Sequence, residues 1–193
     1  CGDIMKKIMI ALLAVFLCAC SSSQTKGCPV IMVQPSGERA DMSAYDTLED
    51  DEHVFYKKSM EEVVAMFEEK QSGIIYFGYP GCPWCEEALP VMNEVAKTKG
   101  LTICYAETYD GKEYQLKGET KDKIYSYLDA FLSEDDGEKV MYVPFVVVLK
   151  DGVAVAANAG TVESHDAHER KMNDSEIIEL TNIYQDMFDQ LGC

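Results

Sequence analysis

The sequence predicts an α/β domain built on a central mixed β-sheet with helices on both faces. Three observations lead there. Short apolar runs at 74–77, 101–106 and 144–149 alternate with stretches of helical apolar period at 60–67, 83–99 and 124–132. The last of these runs passes through Lys150-Asp151-Gly152 into a second strand-like stretch, 153–157, which is a hairpin signal and makes part of the sheet antiparallel. A chain of 193 residues with 47% hydrophobic content can bury one core, and its length allows one domain with at most an appendage.

The first residues read as an address. Met5-Lys6-Lys7 is a short basic stretch, residues 8–17 are apolar, and Cys18-Ala19-Cys20 follows. The apolar run falls short of the roughly 20 residues that a bilayer span needs. Leu17-Cys18-Ala19-Cys20 resembles the lipobox of bacterial lipoproteins, although Cys18 replaces the more usual Ser, Ala or Thr. The expectation is a signal peptide over 1–19 with translation starting at Met5, lipidation at Cys20, and a protein anchored on the extracytoplasmic face of a membrane. The competing readings are an ordinary secretory leader with a cysteine at its end, or a buried N-terminal helix. Either exported form would meet conditions in which disulfides persist. Residues 20–51, with Cys28-Pro29, Pro35-Ser36-Gly37 and the acidic run 49–52, read as a tether and irregular lead-in. The domain is expected over 52–193.

Within that domain, residues 54–56 form a short strand candidate. Ser59 with Glu62 makes a capping box, and Met60, Val63, Val64 and Phe67 line one helix face. Gly73 marks the stop before the strand at 74–77. The turn Tyr79-Pro80-Gly81 leads into a helix over 83–99, with Ala88, Met92, Val95 and Ala96 on one side and Gly100 at its end. A strand at 101–106 and a polar stretch at 107–119 follow. Ile124, Tyr127, Leu128, Phe131 and Leu132 mark a third helix closed by Gly137. After the hairpin, a last helix over 174–191 directs Ile177, Leu180, Tyr184, Met187, Phe188 and Leu191 inward.

A net charge of −17 removes the general basic footprint that a nucleic-acid backbone requires, so no nucleic-acid partner is expected. Eight cysteines are too sparse for a small disulfide-stapled scaffold. Their placement carries more. Cys82-Pro83-Trp84-Cys85 sits where a buried strand hands over to a helix. A cysteine there meets unpaired N–H groups and the positive end of the helix dipole, which favour a thiolate. Pro83 suits the first helical turn, having no N–H to lose. A thiolate with a thiol one turn away can attack a foreign disulfide and then be released by its neighbour. Two other readings stand beside this one. One takes the pair as half of a zinc site, for which Cys28, Cys104 and Cys193 are singly placed and His165 with His168 is the sole close His pair. The other takes it as a structural disulfide, although two intervening residues staple very little chain.

Residues 52–193 resemble the thioredoxin superfamily, and four features carry the resemblance. They are the C-x-x-C at a strand-to-helix junction, Pro90 five residues after Cys85, Val143-Pro144 where the family has a cis-proline facing the site, and the run 144–152 with Gly160 following. The N-terminal region and the Tyr79–Cys85 stretch are most similar to thioredoxin-like bacterial lipoproteins, and more loosely to accessory proteins of bacteriocin export. The resemblance implies a thioredoxin fold, Cys82 as attacking thiol and Cys85 as resolving thiol. It also implies a substrate surface at Trp84, Val143 and Pro144, with no cofactor and no metal. It implies partners among the cysteines of exported proteins or a redox protein. Trp84 reads equally as plain helix packing.

The sequence departs from the family at two places. Tyr76 stands where thioredoxins bury an acid, and Glu86 and Glu87 follow Cys85, where negative charge opposes a thiolate. The loop 161–173, holding His165, Asp166, His168 and Glu169, is longer than the family's and reads as solvated, with a metal site the alternative. Cys104 reads as a small buried hydrophobe, and Cys28 and Cys193 as a pair or as accessory thiols. The function expected is a membrane-anchored, extracytoplasmic thiol–disulfide oxidoreductase. The alternative is a lipid-anchored accessory protein that keeps the shape and binds a client or transporter. A thiol peroxidase would need supporting Thr and Arg residues, and none lies near Cys82 in sequence.

Overall fold

The computed structural model describes residues 37–192. The expected signal peptide, Cys20, Cys28 and Cys193 lie outside the described residues.

Strand β1 (Phe55–Lys57) leads into helix α1 (Met60–Glu68). Ser59 caps α1 with the reciprocal bonds read from the sequence: its hydroxyl accepts from the Glu62 N–H, and the Glu62 carboxylate accepts from the Ser59 N–H. Then come β2 (Gly73–Gly78), α2 (Pro83–Lys99), β3 (Ile103–Glu107) and α3 (Gly118–Leu128). A 3-10 turn (Asp129–Phe131) and a small hairpin, β4 (Ser133–Asp135) with β5 (Glu138–Val140), precede β6 (Phe145–Lys150), β7 (Val153–Ala159) and α4 (Asp174–Asp189). The main sheet runs β1-β3-β2-β6-β7. The strands β1, β3 and β2 are parallel, while β6 and β7 are antiparallel to their neighbours. That order and polarity, with helices on both faces, is the thioredoxin fold.

The alternation of side chains along β2 divides the core. Ile74 and Tyr76 point to one face, packed with residues of α2 and α4. Ile75 and Phe77 point to the other, packed with α1 and α3. β2 is central and buried along its whole length, so its sequence reads as a continuous apolar run rather than an alternating one. This buried strand delivers the chain directly to Cys82.

Several features differ from the sequence reading. Gly137 does not close a helix; with Asp136 it makes the positive-φ turn of the β4–β5 hairpin. Asp-Gly is the characteristic hairpin dipeptide, and the helical spacing of Phe131 and Leu132 masks it. Ile177, expected inside, is 39% exposed, and Tyr127, one of the residues that mark the third helix, is 38% exposed. Tyr127 still covers the core by stacking on Phe67.

The lead-in differs too. Residues 37–51 are irregular but packed. Arg39 bridges to Tyr56 in antiparallel sense, and Ala40 N–H donates to the Phe55 carbonyl, which covers the edge of β1. Ala40, Met42 and Tyr45 enter the core beside α2. Asp50 accepts from Asn93 and Lys97 of α2, at 2.8 and 2.6 Å.

The long loop after β7 is likewise held rather than merely solvated. His165 is buried between the Thr161 hydroxyl and the Arg170 carbonyl. Arg170 clamps Glu176 with two hydrogen bonds, at 2.6 and 2.7 Å. Among the described residues, no group of three or more His, Cys, Asp or Glu side chains is placed to hold a metal.

Candidate redox site

Cys82 is the N-cap residue of α2, with φ −79° and ψ 115°, and Pro83 is the first helical residue. The cap position is usually filled by Ser, Thr, Asp or Asn, whose side-chain oxygen accepts an unpaired N–H of the first turn. Here a sulfur takes that role: the Cys85 N–H donates to Cys82 Sγ at 3.3 Å. On its other side, Cys82 Sγ–H donates to the Val143 carbonyl at 3.7 Å. The Val143-Pro144 peptide is cis, and the Pro144 carbonyl accepts from the Gly160 N–H at 2.8 Å. Cys82, Cys85 and Val143-Pro144, far apart in the chain, therefore meet at one place. Cys82, Cys85 and Cys104 are free thiols.

The two thiols have opposite electrostatics. The Cys82 pKa is lowered, first by hydrogen bonding from the Cys85 thiol and then by the N–H groups of Cys85 and Trp84. Burial and the charge of Glu86 oppose this without reversing it. The pull of the carboxylates is outweighed, chiefly by the Cys85 thiol and in smaller part by the N–H groups of the helix start. Glu86 is occupied elsewhere: its carboxylate accepts from the Thr47 N–H and hydroxyl and from the Gly81 N–H. Glu87 is turned away and accepts from the Met172 N–H at 2.8 Å. Cys85 is fully buried, and burial pushes its pKa strongly up, with the neighbouring Cys82 adding to the effect. Cys104 is pushed up to about 11 by burial, as an inert core thiol should be.

Cys82 is only 3% exposed, a much narrower access than an open attacking sulfur would have. Its borders are looser, since Pro83, Trp84 and Val143 are each half-buried. Trp84 meets the ring of exposed His168 edge-on at 4.5 Å, so the long loop reaches the site. Pro144 is buried and contributes backbone rather than side-chain surface. Pro90 lies inside α2 as read.

The sequence reading did not find Tyr45. Its hydroxyl hydrogen-bonds those of Tyr76 and Tyr105, at 3.2 and 3.0 Å, in the core cluster that also holds Cys85. A tyrosine in a polar lead-in gives no periodic signal, and only the fold brings it there.

No family model matches the chain, and no curated protein matches it. Solved structures of similar shape include a protein described as having a thioredoxin fold. It is 12% identical over 72% of this chain and 95% of its own, with a TM-score of 0.44. Thioredoxin O2 from Arabidopsis thaliana in its oxidised state is 16% identical over 61% of this chain and 88% of its own, TM-score 0.36. Thioredoxin f2 from Chlamydomonas reinhardtii is 11% identical over 67% and 94%, TM-score 0.38.

Proposed function

We propose that this chain is a thiol–disulfide oxidoreductase acting by dithiol–disulfide exchange on protein cysteines. The observation that carries the reading is the asymmetric pair. One sulfur caps a helix and is favoured as an anion, while its partner one turn on is buried and held as a thiol. The first is suited to attack and the second to wait. Trp84 and the Val143 backbone border the sulfur and are the proposed contacts for a substrate segment. The test is turnover of insulin disulfides with a thiol reductant, together with oxidative refolding of a reduced protein. Wild-type protein is expected to support one or both, and Cys82→Ser neither. Equal activity of the two sinks the reading.

A second reading, an accessory protein that binds a client through the same surface, is favoured by the 3% exposure of Cys82. It predicts that client binding survives Cys82→Ser and that no exchange occurs in wild type.

The anchored, extracytoplasmic location is also a proposal, supported by the run from Lys6 to Cys20. Metabolic labelling with a fatty acid is expected to mark the wild-type protein and not Cys20→Ala. Unlabelled wild type, or an equally labelled variant, contradicts it.

A further inference from the structure

A pocket of about 320 Å³ opens between the end of β3, helix α3 and the Val143-Pro144 segment. Tyr79, Tyr114, Leu116, Tyr125, Met141 and Val143 line it. We propose, building on the exchange reading above, that this pocket takes a large apolar side chain of the substrate, aromatic or long aliphatic, standing two residues from the reacting cysteine. The pocket then selects among substrate cysteines by what lies beside them.

Two of its walls belong to the redox site. The Tyr79 carbonyl accepts from the Cys82 N–H at 3.4 Å, and the Val143 carbonyl accepts from Cys82 Sγ–H at 3.7 Å. The pocket thus continues the Val143 border proposed above to meet a substrate segment. In an extended segment, the side chains two residues before and after a cysteine share its face, about 7 Å along. With the substrate sulfur at Cys82, that step carries one of them past the Val143 backbone into the pocket. The remaining walls are held in place by the fold. Asp110 Oδ1 accepts from the Lys112 and Glu113 N–H groups at 2.9 and 3.0 Å, and the Gln115 N–H donates to the Thr108 carbonyl at 2.9 Å. This turn sets the Tyr114 ring against Tyr109 and Tyr109 against Tyr79, with centroids 5.1 and 5.7 Å apart. On α3, the Tyr125 hydroxyl accepts from the Met141 N–H at 3.2 Å. Walls fixed beforehand lower the ordering cost of binding.

The composition of the walls names the occupant. Leu116, Tyr125, Met141 and Val143 back onto the α1–α3 core yet stay half-buried, and Tyr114 is 67% exposed. Tyrosine and methionine are favoured at recognition surfaces because they offer large apolar contact areas. The chain carries a net charge of −17, yet among the described residues no carboxylate lines this pocket. Its one charged lining residue is Lys121, whose ammonium lies over the Tyr125 ring, 4.9 Å from the centroid. The groove between α2 and α4 is the contrast, since Glu86, Glu87 and Glu94 line it. A pocket free of carboxylates offers no counter-charge to a lysine or arginine side chain and suits an apolar one. Its volume is near the lower bound for small-molecule sites, about 300 Å³, which fits one large side chain better than a whole ligand.

The test uses reduced full-length protein and short peptides whose single cysteine is carried as its mixed disulfide with pyridinethiol. The Cys82 thiolate attacks the peptide sulfur, the Cys82–peptide disulfide forms, and pyridinethione leaves with the electron pair, so its absorbance reports attack. The signal of Cys82→Ser is subtracted to remove the other cysteines. One peptide has glycine on both sides of the cysteine, and two others place phenylalanine two residues before or two residues after it. One phenylalanine peptide is expected to react about tenfold faster than the glycine peptide, or more. The ratio of the two rates cancels any change in the thiol itself. Tyr114→Ala and Met141→Ala are each expected to cut that ratio at least about threefold. Tyr142→Ala is expected to keep it, because Tyr142 is exposed, bonded to Asp135 and outside the pocket. Equal rates for all three peptides overturn the pocket and leave the exchange reading intact. A preference undiminished in both pocket variants also overturns it, by placing selection on another surface, and so does an equal fall in Tyr142→Ala. If no peptide reacts above the Cys82→Ser level, the exchange reading fails first and the pocket's role with it.

Discussion

Replacing Cys85 with alanine is expected to turn the protein into a trap. Cys82 keeps the cap position and the backbone N–H of residue 85, although it loses the neighbouring thiol that contributes most to its lowered pKa. Attack on a substrate disulfide therefore continues, more slowly. Release does not, because no second thiol stands one helical turn away. Effective molarities of well-placed intramolecular groups can reach about 10⁵ M, against about 1 mM for a thiol in solution. The adduct lifetime is thus expected to lengthen by at least about a thousandfold. Non-reducing electrophoresis with peptide mapping should find mixed disulfides at Cys82 in Cys85→Ala, absent from the Cys82→Ser, Cys85→Ala double variant. Adducts that persist in the double variant would assign the chemistry to another cysteine.

The second large effect concerns the frame behind the site. Gly152 turns the β6–β7 hairpin at φ +77° and donates its N–H to the Gln71 carbonyl at 2.8 Å. A Cβ there would lie 2.6 Å from the Phe67 carbonyl oxygen and 2.8 Å from Lys70 Cα, both backbone atoms at the end of α1. Neither can swing aside. Gly152→Ala must therefore bear a left-handed conformation and also push the hairpin off the helix, at a cost of about 3 kcal/mol. For a domain of this size that is about 10 °C in Tm. Gly111 has a similar φ of +85° but nothing within 4 Å of its Cβ position. Gly111→Ala should therefore cost only the backbone strain, about 1 kcal/mol. Denaturant melts of the two variants check the difference, and equal losses would refute the steric argument.

The parts of the fold set by local pattern were legible from the chain. The Ser59–Glu62 capping box, the apolar run of β2 and the Lys150-Asp151-Gly152 hairpin each carry their instruction within a few residues. So does the strand-to-helix junction that places Cys82 at an N-cap. The parts set by distant contacts were not. Tyr45 lies in a polar stretch, and its core position depends on two partners 31 and 60 residues away. Glu86 was legible as a charge near the thiols but not as one held by Thr47 and Gly81. His168 gave no sign that it would meet Trp84. The missed β4–β5 hairpin is a different failure. Its Asp136-Gly137 turn was present in the text, and a helical spacing just upstream competed with it.

The direct test of the central claim is the rate of alkylation of each cysteine in the reduced protein as a function of pH, assigned by peptide mapping. A group whose ionised form is favoured by the fold reacts at lower pH than the free amino acid. Cys82 should be modified ahead of Cys85 and Cys104, with an apparent pKa below the ordinary thiol value of about 8.5. A Cys82 that titrates at or above that value, or that reacts no faster than buried Cys104, would contradict the account.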